Sequence, residues 1–123
     1  MKSRIPPNSS VEELVELFVA IALDQEEANI DFDSRRFNKL YGQMDEARKR
    51  LKAMPGDKRS ALVPLLQHPN LEVRLRAAKS TLAVAPEAAR ATLEALRKIT
   101  HTPQASDAGM CLRALDQGIC KPT

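Results

Sequence analysis

Residues 61–84 constrain the fold of this chain more than any other stretch. Leu62, Leu65 and Leu66 fall on one stripe at helical spacing, and Leu71, Val73, Ala77, Ala78 and Leu82 fall on a second. His68-Pro69-Asn70 separates them, a turn whose asparagine side chain can accept hydrogen bonds from the free N–H groups that open the second helix. Two short helices folded back on each other cannot bury their apolar stripes alone and need neighbours of the same shape. Pro64 lies inside the first of the pair, where it removes one backbone bond and bends the axis.

The rest of the chain supplies those neighbours. Ser10 followed by Glu13 is a capping box opening a first helix. Val11, Leu14, Val15, Phe18 and Ala22 mark one face of it, and Leu17, Val19, Ile21 and Leu23 widen that face over most of the girth. Such a helix is covered on two sides, either by helices of the same chain or by a second copy of the protein. Residues 24–33 read as an acidic connector to a second helix capped by Asp33 or Ser34. Phe37, Leu40, Tyr41, Met44, Ala47, Leu51 and Met54 step by threes and fours along this helix until Pro55-Gly56 ends it. Asp57 can cap the third helix. Pro86 suits the first turn of the fifth, which carries Ala89, Leu93, Leu96 and Ile99. A last helix over about 105–117 presents Ala108, Cys111, Leu112 and Leu115 and closes at Gly118. Strand periodicity is absent. The expected fold is all-α, about six helices in three antiparallel hairpins, forming one domain over residues 1–123.

With 123 residues, 43% of them apolar and only four aromatics, the chain has enough aliphatic material for a packed core and too much for disorder. No apolar run is long enough to span a bilayer. The opening Met-Lys-Ser-Arg-Ile-Pro-Pro leads into 11–23, which Glu12, Glu13 and Glu16 interrupt, so a signal peptide is not expected and the cytoplasm is the default compartment. Cys111 and Cys120 have neither metal nor redox spacing and read as reduced and structural. The net charge of +3 hides a segregated pattern: −6 over residues 1–34 and +6 over 35–59. That profile differs from the uniform basicity of a nucleic-acid binder.

His68-Pro69-Asn70-Leu71-Glu72-Val73-Arg74, with Ala77-Ala78 and Leu82 after it, resembles the turn and second helix of a HEAT repeat. The resemblance implies a short HEAT/armadillo-like right-handed α-α superhelix. In HEAT repeats an aspartate stands where this chain has His68 and pairs with the arginine of neighbouring repeats, so the departure argues for a short, self-contained stack. The opening Ser-x-Glu-Glu-Leu-Val-Glu-Leu-Phe and the closing Pro-Gln-Ala-x-Asp-Ala-Gly-Met-x-Leu-x-Ala-Leu-Asp are also similar to a family of small bacterial helical proteins known as a domain of unknown function. That resemblance runs end to end and brings no catalytic residues. It further implies an immunity- or antitoxin-type partner role.

The residues themselves offer little catalysis. His68 and His101 sit at helix ends, where capping or packing is the ordinary role, and Cys111 with His101 is the only Cys–His pair with plausible proximity. On an apolar helix face the Cys111 thiol is kept inert by burial. Asp24, Glu26, Glu27, Asp31 and Asp33 offer oxygens but lack the glycine and ordered spacing of a calcium loop, so a solvated acidic loop, or one paired with the second helix, is expected. Gly42, Gly56, Gly109 and Gly118 are isolated and make no phosphate cradle. A non-catalytic scaffold without metal or cofactor follows, binding an unidentified protein partner by charge. Its candidate partner-binding residues are Arg35, Arg36, Lys39, Arg48, Lys49, Arg50, Lys52 and Arg74. The alternative uses the basic 35–59 segment, with Lys58 and Arg59, to hold a nucleic acid or phosphate. The bases at the helix C-terminus also suit the backbone dipole, and no aromatics are interleaved for stacking. A membrane partner is not expected, and a homodimer through the first helix stays open.

Overall fold

A computed structural model describes residues 5–123. Residues 1–4, on which part of the leader reading rests, lie outside the described residues. The chain order is α1 (Val11–Ile30), α2 (Ser34–Ala53), a 3₁₀ segment (Lys58–Gln67), α3 (Leu71–Thr81), α4 (Pro86–Arg97) and α5 (Pro103–Asp116), with no strand among the described residues. The fold is all-α. Residues up to Ala61 form one compact unit and Leu62–Thr123 form another.

In the first unit α1 packs against α2. The capping box at α1 is complete: Glu13 N–H donates to Ser10 Oγ at 3.1 Å, and Ser10 N–H donates to the Glu13 carboxylate at 2.9 Å. Hydrogen bonds to the Glu13 carboxyl from the Ser10 backbone first and the Ser10 side chain second hold it below the usual carboxylate range. Leu14, Phe18, Ile21 and Ala22 of α1 are fully buried, as are Ala47 and Leu51 of α2, with Leu40 and Met44 nearly so. The sequence suggests a connector at residue 24, yet α1 continues to Ile30. Gln25 and Ala28 extend the Ile21 face by steps of four and three, and both are 0% exposed. Asp33 then caps α2, accepting from Arg36 N–H at 3.0 Å.

The 3₁₀ segment replaces the expected third α-helix. Pro64 sits at its seventh position, where it has no N–H for an α-type bond, and repeated three-residue turns carry the chain past it. Asp57 caps its start from a left-handed backbone (φ 50°), and its carboxylate accepts from Arg59 N–H at 3.3 Å and from the Arg59 guanidinium at 2.6 and 2.9 Å.

In the second unit α4 packs on both α3 and α5, and α3 touches α5. Asn70 caps α3 as expected, accepting from Val73 N–H at 3.1 Å. Thr102, rather than a residue nearer 105, caps α5, so this helix begins at Pro103. Pro86 opens α4 at the first-turn position. Val73, Leu75, Ala78, Leu93, Leu96, Ala108 and Leu112 are among the buried aliphatics, whereas Ile99, beyond the end of α4, is partly exposed.

One polar constellation interrupts this aliphatic interior. Glu72 is 1% exposed and Arg76 6%, one turn apart on α3 and joined at 2.6 Å. Gln104 of α5 donates its amide to the second Glu72 oxygen at 2.8 Å. Asp107, one turn along α5, reaches Arg76 at 3.5 Å and Lys79 at 2.9 Å. Both Glu72 oxygens are thus satisfied, which is the condition under which a charged group tolerates burial.

Candidate interaction surface

The candidate cations on α2 are largely matched within their own unit. Arg36 faces Glu27 at 3.3 Å, Asp31 at 3.9 Å and Asp24 at 4.0 Å, so the acidic end of α1 pairs with the second helix as its composition suggests. Arg48 and Lys49 both bond Asp45, the lysine at 2.9 Å. Arg50 joins Glu46 at 3.0 Å and donates to the carbonyls of Ile5 and Pro6. Arg59 is buried on Asp57. Among the described residues Arg35, Lys39 and Lys52 are exposed and form no ion pair. Arg74 lies in the other unit, where its Nε donates to the His68 carbonyl at 2.5 Å and it borders a groove with Leu66, Gln67 and Ala91. Of the eight candidates, Arg74 alone belongs to the second unit. Seven share α2, and four of those are tied to acids of the same hairpin.

The turn between α1 and α2 carries a feature that residue types did not announce. Asp33 N–H bonds the Ala28 carbonyl at 2.8 Å and Phe32 N–H bonds that of Asn29 at 3.1 Å, the paired closure of a Schellman motif. Its left-handed position is Phe32, at φ 54°. Glycine is the usual occupant, because a Cβ there collides with the backbone at a cost of roughly 1–2 kcal/mol. The same motif at the end of α5, with Ile119 N–H on Ala114 O and Gly118 N–H on Leu115 O, uses Gly118 at φ 72°. Strain at Phe32 is not offset by packing: the ring is 93% exposed, next to Ile30 at 70%. Phe32 and Phe37 line a cleft of 220 Å³ together with Ala28, Asn29, Asp33 and Ser34. Asp33 in this lining is exposed, as are Glu27 and Asp31 nearby in the chain.

The groups considered for chemistry belong to the second unit. His68 Nδ1 accepts from Asn70 N–H at 3.0 Å, a turn contact. His101 is exposed in a left-handed turn, at φ 67°. Burial pushes the half-buried Cys111 thiol up from its ordinary pKa, which keeps it protonated near neutrality. Among the described residues no three His, Cys, Asp or Glu side chains are grouped to hold a metal ion. No described helix is long and apolar enough to cross a membrane.

The chain is similar to the protein RPA1889 from Rhodopseudomonas palustris CGA009, whose crystal structure superposes with a TM-score of 0.91 at 47% identity, covering 94% of this chain and 96% of that one. No curated protein matches the chain significantly. A family profile matches residues 12–116, from the first turn of α1 to the last residue of α5, and the chain thus belongs to the family described as Domain of unknown function (DUF2019).

Proposed function

We propose that this protein is a non-catalytic protein–protein interaction module that docks through the α1–α2 end of its first unit. One observation carries the reading: a nearly fully exposed aromatic, Phe32, stands in a left-handed conformation where glycine would relieve strain. Strained residues persist where the surrounding structure over-determines them, and they cluster at functional positions. Exposed aromatics with a charged rim are also typical of the anchors that dominate binding at protein interfaces. The second unit serves as scaffold in this reading. Its HEAT-like character is supported by the turn at His68, where Asn70 caps α3 and Arg74 holds the His68 carbonyl. An immunity- or antitoxin-type role would be the same docking with a toxin as occupant.

The test is site-resolved crosslinking in cells that make the protein natively. A photoreactive phenylalanine replaces Phe32 in one chain and the exposed Lys98 in another. The expected result is a discrete adduct from position 32 that Asp31→Lys removes, with none from position 98. Indistinguishable labelling from the two positions would overturn the reading.

A further inference from the structure

We infer that the cleft on the α1–α2 turn receives the guanidinium group of an arginine, so that the partner docks through a basic, arginine-bearing segment. The inference rests on the interaction-module reading and names the chemistry of its occupant. Of the chain's four aromatic residues only Phe18 is fully buried. Phe32 is 93% exposed, Phe37 is half-buried, and Tyr41, one turn of α2 beyond Phe37, is exposed. Phe32 and Phe37 give the cleft two aromatic rings. Apart from Ala28 the rest of its lining is polar. One oxygen of Asp33, Oδ1, is taken by the α2 cap, and the other is bonded to no described group. The side chains of Asn29, Ser34 and Asn38 likewise bond no described group. Two rings, a carboxylate oxygen and two amide oxygens thus border one small space.

Size and charge decide what enters it. At 220 Å³ the cleft is smaller than the roughly 300–1,000 Å³ of pockets that hold drug-sized ligands, and it suits one long side chain. Residues 24–42, which make up the whole turn end of the hairpin, hold five acids and three bases, a net −2. One of those bases, Arg36, is already drawn to Glu27, Asp31 and Asp24. An anion is repelled by this field, and a purely apolar side chain would cover the carboxylate and amides without replacing their water. The last turn of α1 carries no base of its own, so the negative end of its dipole also favours a cation. The opposing positive end of α2 is already met by the Asp33 cap. Between the two cationic side chains, arginine fits the lining. Its guanidinium is planar and weakly hydrated, lies flat on a ring, and donates from its edge to carboxylate and amide oxygens. A lysine ammonium is a strongly hydrated point charge without a flat face.

A backbone-amide NMR titration of the full chain tests the assignment, using short alanine peptides with one central arginine, lysine or citrulline. Citrulline keeps the shape of arginine and removes its charge. The arginine peptide should give saturable shifts centred on residues 28–38 with a Kd of roughly 1 mM, and the other two should bind at least about fivefold more weakly. Asp33→Asn keeps a side chain able to cap α2. This variant and Phe32→Ala should each weaken the arginine peptide by at least about fivefold. The spectra themselves report that both variants are folded. No saturable shift, a lysine or citrulline peptide that binds as well as arginine, or either variant without effect would overturn the inference. A discrete position-32 adduct beside any of those results would sink the guanidinium alone and leave the interaction module standing. Arginine-selective binding with indistinguishable labelling from positions 32 and 98 would keep the cleft as an arginine site and sink the protein partner.

Discussion

Phe32→Gly should make this protein more stable while disarming it. In the native chain the residue sits at φ 54° with its ring 93% exposed. Removing the Cβ relieves roughly 1–2 kcal/mol of left-handed strain. Glycine returns part of that, about 0.5–1 kcal/mol, through the larger entropy of the unfolded chain. An exposed ring loses almost no burial, so the net gain is about 0.5–1 kcal/mol. With a urea slope of about 2 kcal/mol per M, the midpoint should rise by about 0.3–0.5 M. Phe32→Ala is the control, since it removes the same ring but keeps the Cβ, and its midpoint should stay near the native one. Urea titrations followed at the helical circular-dichroism band give both numbers. A lower midpoint for Phe32→Gly, or an equal rise for Phe32→Ala, would refute the strain argument. Both variants should lose the position-32 contact, so stability and docking move in opposite directions for glycine alone.

Other perturbations probe the rest of the chain. Arg76→Met strands the buried Glu72 carboxylate and should cost about 3–5 kcal/mol, whereas adding Glu72→Met to it should recover most of that loss in a thermal or urea double-mutant cycle. Gln25 is fully buried in α1 with neither amide atom hydrogen-bonded to a described group, so Gln25→Met should raise stability by about 1–2 kcal/mol in the same urea assay. In acid, Asp45 and Asp57 join Glu13 as depressed carboxylates that set the onset of unfolding. Burial raises the Asp45 carboxyl, but hydrogen bonds from Lys49 and Arg48 outweigh it and hold the group low; a bond from Arg59 lowers Asp57. A depressed carboxylate stabilises above its unfolded pKa, and the unfolded chain binds more protons as the pH falls through the folded value. The melting temperature should therefore hold at neutral pH and drop below about pH 4, and Asp45→Asn with Asp57→Asn should flatten that drop.

Helix identity was legible because the apolar steps along 37–54 and 71–82 admit only one period, and the caps Ser10, Asp33 and Asn70 mark their starts by type. The last two turns of α1 were hidden by a polar residue: Gln25 continues the Ile21 face but reads as part of an acidic run. A chain of Lys58–Gln67 composition looks α-helical by stripe alone, and only the missing Pro64 N–H distinguishes the tighter turns. The partners of the basic residues were within reach, since Asp45 and Glu46 precede Arg48, Lys49 and Arg50 by one turn. Phe32 was beyond reach, because backbone handedness at a non-glycine residue leaves no mark in composition or spacing.

Aliphatic surfaces forgive sliding, since a leucine is as content against one methyl as the next, and the clamp of Glu72, Arg76, Gln104 and Asp107 does not. Shifting α5 along α3 by one turn, about 5.4 Å, would bring Ala108 and Cys111 to where Gln104 and Asp107 now stand. The glutamate would then keep its arginine but lose its amide, and the arginine its second carboxylate. Four side chains thereby serve as a ratchet tooth for an otherwise smooth bundle, making one alignment of the final helix correct and its neighbours expensive.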